Sequence, residues 1–244
     1  MIVACFQETT MLSLIAALAL QTAAPTTIPD GGRLSEERQC YVLSMTRGEV
    51  SRPMGVTWQT VARETIDGRP VLKVVVHQSI NGGAFDMRDV FVLDAATLRP
   101  LSLVNTRQGQ VHVRATYGPD RITGETIADG VSTPIDIPLT GPVWEGNLFG
   151  LTFAALPLDD GAEFSLPYWQ YDKGFGDFSV RVAGSETVTT PDGPVEAWVV
   201  EAGPDAGRDL TYLISKTGAR ELGYRAGPGS QSLGGDCSSL EAVP

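Results

Sequence analysis

The strongest constraint on this chain is an alternation of apolar and polar residues with a period of two, cut into short runs by turn residues. In residues 111–117, Val111, Val113, Ala115 and Tyr117 fall on one side and His112, Arg114 and Thr116 on the other. Successive side chains of an extended strand point to opposite faces, so this is the signature of a half-buried strand. The pattern recurs in Leu72-Val74-Val76, Phe178-Val180-Val182 and Leu210-Tyr212-Ile214, and more loosely from Val56 through Trp58 and Ala62 to Ile66. About ten such strands fit the chain. Between them stand Asp67-Gly68, Gly118-Pro119-Asp120, Asp192-Gly193 and Thr217-Gly218, short turn signals that join neighbouring strands as antiparallel hairpins. No repeat, charge run, long linker or βαβ alternation divides the chain, which predicts a single antiparallel β domain over residues 40–240. Residues 134–141 read as a connector or an edge strand, because Pro134 and Pro138 donate no ladder hydrogen bond.

A sheet with one apolar face must cover it. The candidate cover is residues 147–156 (NLFGLTFAAL), an apolar stretch that stops before Pro157 and has almost no polar side. Its length suits a short helix, although Gly146 and Gly150 each weaken it by about 1 kcal/mol relative to Ala. The expected fold is therefore mainly β, α+β at the margin: one strongly curved antiparallel sheet or half barrel with a short apolar plug helix. Of the chain's 8 Phe, 4 Trp and 6 Tyr, half lie between residues 144 and 178. Trp144, Phe149, Phe153, Phe164, Tyr168, Trp169 and Phe175 are the candidate lining of an apolar cavity; the alternative is that these rings only close the core. Residues 168–177 (YWQYDKGFGD) read as a loop able to move over an opening.

At the start of the chain, residues 11–20 (MLSLIAALAL) precede the small residues Ala23 and Ala24 and a Pro-rich stretch. A ten-residue apolar run is too short to span a bilayer and resembles the core of a secretory signal. Residues 1–24 are thus expected to be a signal peptide with an atypical leading region, which holds Glu8 and neither Lys nor Arg, and residues 25–39 an N-terminal extension. The rival reading is a buried N-terminal helix. Ile2-Val3-Ala4-Cys5 has the look of a lipidation site, but no hydrophobic segment precedes it. With residues 1–24 removed, Cys40 and Cys237 remain, either as a disulfide formed in an oxidising periplasm or as two unrelated residues. No transmembrane span is expected.

The charge balance and the residue inventory exclude several chemistries. A formal charge of −11 without Lys/Arg clusters disfavours nucleic acid. Two His and three widely spaced Cys give no metal-ligand spacing. No Gly-x-Ser-x-Gly elbow occurs, the nearest stretch being residues 229–234, and any Ser or Cys nucleophile would need His77 or His112, both of which read as sheet-surface histidines. Adjacent acids such as Asp159-Asp160 are ordinary solvated turn residues, the acids of residues 172–177 are too sparse for a calcium loop, and Gly174-x-Gly176 lies at no strand-to-helix junction. No catalytic residue, metal or cofactor is expected.

Residues 89–101 (DVFVLDAATLRPL), then Ala155-Leu156-Pro157-Leu158 with Gly161-Ala162, and Gly184-Ser185-Glu186-Thr187-Val188 leading to Gly193 and Ala197-Trp198, resemble blocks of a bacterial envelope family of unknown function akin to the LolA/LolB-like lipoprotein carriers. The resemblance covers roughly residues 55–225 and rests on strands and turns rather than a catalytic signature. It implies a curved sheet around helices, with an apolar concavity that in the carriers accepts acyl chains; it transfers no binding residue. The expected role is a periplasmic, non-enzymatic protein holding a lipid, a lipid anchor or another apolar small molecule. The alternatives are an envelope interaction or assembly protein with a solid core and a protein partner, and a hydrolase or isomerase with an unconventional site.

Overall fold

The computed structural model describes residues 27–204 and 209–241; the segment read as a signal, residues 1–24, lies outside the described residues. Strands β1 (Glu37–Arg47), β2 (Val50–Ile66), β3 (Arg69–Ile80), β4 (Phe85–Asp94), β5 (Pro100–Arg107), β6 (Gln110–Tyr117), β7 (Arg121–Ala128) and β8 (Val131–Pro138) form an up-and-down series. The two-residue β9 (Trp144–Glu145) and helix α1 (Phe149–Ala154) follow. The chain then returns through β10 (Glu163–Gln170), β11 (Gly174–Thr190), β12 (Gly193–Pro204), β13 (Leu210–Ser215), β14 (Glu221–Ala226) and β15 (Gly229–Leu233), and the last described element is α2 (Ser238–Glu241).

All fifteen strands belong to one sheet, with β1 paired to β15 in the middle and β8 and β9 at the two edges. Every pairing is antiparallel except the short parallel contact of β9 with β10. The mainly β, strongly curved sheet with a plug helix is thus borne out, with fifteen strands among the described residues rather than about ten. Three of the hairpins turn on Asp67-Gly68, Gln108-Gly109 and Asp129-Gly130, each with both residues at positive φ, the backbone twist that two-residue hairpins require. The sheet is not closed by hydrogen bonds, but it curls until its halves touch. The ring of Tyr117 on β6 meets that of Trp169 on β10 edge-on at 5.8 Å, and Arg107 on β5 donates to the Tyr171 hydroxyl at 3.2 Å.

Register explains how the interior is graded. One inward row, Val61, Val74, Phe91, Leu103 and Ala115, runs across β2 to β6 and is wholly apolar and buried. Two residues along, the next row reads Gln59, Val76, Asp89, Asn105 and Val113, and the row beyond it Thr57, Gln78, Met87 and Arg107. The barrel is therefore a cup with an apolar floor and a polar mouth. The floor is sealed by residues 30–34: the Asp30 and Gly31 amides donate to the Ala155 and Ala96 carbonyls at 3.0 and 2.8 Å, and Arg63 donates to the Gly31 and Leu34 carbonyls.

Helix α1 fills the cup. All six of its residues are buried, as a helix with no polar face must be. Phe149 stacks on Phe178 of β11 at 3.7 Å between ring centres, and Phe153 meets Tyr212 of β13 edge-on at 5.0 Å. Each such buried ring contributes about 1.5–3 kcal/mol through apolar surface removed from water.

Two local expectations are corrected. Residues 168–177 form a hairpin, β10 turning directly into β11, because the Tyr168 ring lies flat over Gly176, where a Cβ would sit 2.6 Å from its hydroxyl. His77 is not a surface residue: it is 3% exposed, with Nε2 3.1 Å from an Asp86 carboxylate oxygen, under the segment that carries α2. His112, on the outer side of β6, is partly buried, with Nδ1 2.9 Å from the Ile127 carbonyl oxygen.

Residues 134–141 divide into the end of edge strand β8 and a connector. The outer face carries cross-strand ion pairs such as Arg114–Glu125 and Arg181–Glu201, and among the described residues no helix is long and apolar enough to cross a membrane.

Cys40 on β1 is bonded to Cys237 just before α2, a bridge between residues 197 apart that pins the end of the chain to the outside of the sheet. A loop of that size corresponds to on the order of 5 kcal/mol in the chain-entropy description, with 2–5 kcal/mol typical on removal. Reduction, or Cys40→Ala, is expected to lower the urea midpoint by that order without changing the far-ultraviolet spectrum of the folded state. An unchanged midpoint would mean that the α2 contacts hold this end of the chain without the bridge.

Candidate functional site

Among the described residues, two of the regions that depart from solid packing bear on function: the polar mouth of the cup and the seam where the sheet fails to close.

At the mouth, carboxyl groups lie where strand periodicity calls for apolar side chains. Asp89 shares its face of β4 with Phe91 and Leu93, and its Oδ1 accepts a hydrogen bond from Asn105 Nδ2 at 2.6 Å. Burial pushes the Asp89 carboxyl up to about 6 against the pull of Asn105 and of the Arg107 guanidinium. Glu221 on β14 is buried against α1 at Gly150, where a Cβ would stand 1.9 Å from its Oε2. This contact accounts for a glycine inside the plug helix. Burial and the neighbouring Glu37 raise the Glu221 carboxyl to about 7. Glu37 itself is raised to about 7 by burial, with Arg220 opposing, and it accepts from Gln39, which in turn accepts from the Tyr41 hydroxyl.

Glu145 occupies half of β9. It accepts from the Tyr117 hydroxyl at 2.6 Å and from Asn147 Nδ2 at 3.0 Å, and Gln170 donates to Asn147 Oδ1 at 2.7 Å. This network ties β6, β9 and β10 together across the seam. Burial dominates and raises the Glu145 carboxyl to about 8, so it is mostly protonated at neutral pH.

The mouth encloses a cavity of about 210 Å³ between these polar rows and the start of α1. Asp89 and Glu221 line it, together with the amides of Gln59, Gln78, Asn147 and Gln231.

The seam is a different environment. Pro134 and Pro138 on β8 cannot donate to a further strand, and β9 is only two residues long, so residues 139–143 cross the gap without a ladder. On one side of this crossing lies a cleft of about 840 Å³ walled by Pro138, Leu139, Pro142 and Val143 and, opposite, by Tyr168 and Phe175. On the other side a cleft of about 480 Å³ has Arg69 and Arg99 at its rim and shares Leu139, Pro142 and Val143 with the first. Phe175 is 53% exposed, a large apolar side chain left in water at the edge of the larger cleft.

The seven aromatic residues singled out in the sequence separate accordingly. Trp144, Phe153, Phe164 and Trp169 are buried in the main core, and Trp144 Nε1 donates to the Thr97 carbonyl at 3.0 Å. Phe149 belongs to that core and also reaches the mouth cavity. Tyr168 and Phe175 alone of the seven line the seam cleft. The acids and amides of the mouth escaped the sequence reading. The available signal was a carboxylate or amide in step with apolar residues, as in Asp89-x-Phe91-x-Leu93 or Leu103-x-Asn105.

Residues 40–226, well over half of the chain, match the family described as protein of unknown function (DUF3108). The chain is also similar to the crystal structure of a beta-barrel-like protein of domain of unknown function DUF1849 from Brucella abortus, with a TM-score of 0.51 and 10% identity over 83% of this chain and 97% of that one. That likeness concerns the fold. None of the curated proteins compared with the chain matches it.

Among the described residues, three buried carboxyls and the half-buried Glu37, all with raised values, shape the pH dependence of stability. A folded acid that holds its proton more tightly than the unfolded chain stabilises the fold fully below its unfolded value, and this contribution is lost as pH rises through the folded value. For Asp89, Glu37, Glu221 and Glu145 that window runs from about 4 to about 8. Urea midpoints are expected to fall from about pH 5 to about pH 8.5, by an amount on the order of a few kcal/mol in total, and Glu145→Gln should flatten the upper part of the slope. A midpoint that rises steadily over this range would contradict the burial of these groups in their protonated form.

Proposed function

We propose that this chain, which belongs to the DUF3108 family, is an exported, non-enzymatic protein that holds the acyl chain of a lipid or lipid anchor in the cleft at the open seam of its barrel. The observation that carries the reading is the cleft itself. A volume of about 840 Å³ is within the range of ligand sites, and its walls are mainly proline, leucine, valine and aromatic side chains, with Thr140 and Asp177 beside them. Its three prolines, Pro138, Pro142 and Pro167, contribute no backbone N–H, so the walls are poor in donors for a polar ligand. An exposed Phe175 at its edge gains burial when an apolar chain lies beside it. The sequence resemblance to lipoprotein carriers agrees in ligand class but not in place: the concavity of the sheet is filled by α1, and the room lies at the seam. Export is supported by the Cys40–Cys237 disulfide, which suits an oxidising compartment such as the periplasm.

A second reading, an envelope-assembly protein that uses the seam as a contact surface, is favoured by one observation, the filled apolar interior. The two differ in what occupies the cleft.

Protein isolated from its own envelope is expected to release an acyl lipid on solvent extraction and to show the adduct in native mass spectrometry. A fluorescent fatty acid should bind the stripped protein and lose on the order of tenfold or more in affinity with Phe175→Asp, the loss of roughly one exposed ring's burial. The exposed position makes that variant benign for folding, which the melting temperature checks. No extractable lipid together with no probe binding would sink the lipid reading, and a photo-crosslinker at position 175 that captures a protein and no lipid would favour the assembly reading.

A further inference from the structure

The mouth cavity is chemically opposite to the seam cleft. Asp89 and Glu221 line its 210 Å³, and among the described residues none of those lining it is Lys, Arg or His. The surrounding charges do not balance these acids. Asp89 faces Arg107 on β5, but also Asp172 in the turn before β11 and Glu145 on β9. Glu221 faces Glu37 on β1, whose own counter-charge is Arg220, and the hydroxyls of Tyr41, Tyr212 and Tyr224. Glu145 keeps its proton at neutral pH, but once Asp89, Glu221 and Glu37 are ionised they and Asp172 are four acids against two guanidinium groups, so the site then favours cations.

A second feature is independent of charge. Gln59 is 5% exposed and lines the cavity, yet its Nε2 has no hydrogen-bond partner. Leaving a buried amide donor unpaired costs about 1–3 kcal/mol, which a ligand acceptor in the cavity would recover. Part of the remaining wall is aromatic, from Phe149, Tyr212 and Tyr224, residues of the kind that attract an ammonium group. The volume equals that of about seven waters, enough for a small organic solute.

We infer that the mouth of the barrel is a binding site for a small hydroxylated ammonium solute, with Asp89 and Glu221 receiving the ammonium group and Gln59 donating to the hydroxyl. The site is separate from the seam cleft. It is also reached from the opposite chemistry: carboxylates and amides select the charged end, whereas the seam selects hydrocarbon.

The test is a calorimetric or NMR titration of the exported chain, disulfide intact, with three solutes of matched size: ethanolamine, ethylene glycol and glycolate. Ethanolamine should bind saturably and the other two should not. Affinity should rise by about tenfold or more between about pH 5 and about pH 8, as the two carboxyls ionise and become able to receive the cation. Glu221→Gln and Asp89→Asn should each weaken ethanolamine by about tenfold or more, and both variants should fold, since each removes an acid that burial penalises. Phe175→Asp should leave ethanolamine binding as it is, which separates this site from the lipid cleft. Equal responses to the three solutes, no saturable response, or an affinity that survives both carboxyl substitutions would overturn the inference.

Discussion

The structure depends on how one curled sheet covers its own apolar face. Fifteen strands in a single layer offer no second sheet to pack on, and the chain supplies the cover from within, through α1 inserted between β9 and β10. That helix is only six residues long, too short to be stable alone, so the rings of Phe149 and Phe153 and the wall they pack against are what keep it helical. Sheet and helix are each incomplete without the other. This mutual requirement also explains why the barrel stays open: the edge that would have to pair across the seam is interrupted to let the helix enter.

From that arrangement follows the division of the interior. The buried helix fills the floor of the cup and only its first residues, Phe149 to Leu151, border the mouth, where the inward rows change from Val, Phe and Leu to Gln, Asp and Asn. Buried acids cost stability unless protonated or paired, and here only some of that cost is recovered. Glu145 has two donors and helps join β6 to β9, a structural use that accounts for its presence. Asp89 has Asn105, whose own Oδ1 is left without a partner, and Glu221 has only the long contact from Gln231. A fold under no demand beyond stability would place apolar residues at those positions, which is the physical reason for regarding them as a site.

The strands were legible in the sequence wherever one face meets water, because Val113-Ala115-Tyr117 alternates against His112-Arg114-Thr116. So was the plug, whose lack of a polar face admits no other environment. The hairpin of β10 and β11 was not legible, since Gly174 and Gly176 have the composition of a loop; only contact with the Tyr168 ring gives Gly176 its place in a strand. The burial of His77 depends on a segment beyond residue 230 folding over the outer face, which local periodicity does not encode. For the candidate site, aromatic density drew attention to the right stretch of chain but did not distinguish rings that fill the core, such as Trp144 and Phe153, from those that wall a cleft, Tyr168 and Phe175. Tyr168 does both, packing in the core and walling the cleft, so composition alone does not separate the two roles.

The two sites also differ in how they respond to the fold's own weak point. The seam is bounded by an edge strand whose prolines prevent both closure and pairing with another chain, so it stays open without inviting strand addition. Its walls belong partly to the crossing residues 139–143, which no ladder holds, and an apolar occupant would tie those residues to β10 and β11. The mouth cavity is bounded by paired strands on its β2 to β4 and β13 to β15 sides and by the buried helix beneath. Under the proposed reading, binding at the seam would therefore stabilise a loosely held segment, while binding at the mouth would neutralise charge between paired strands.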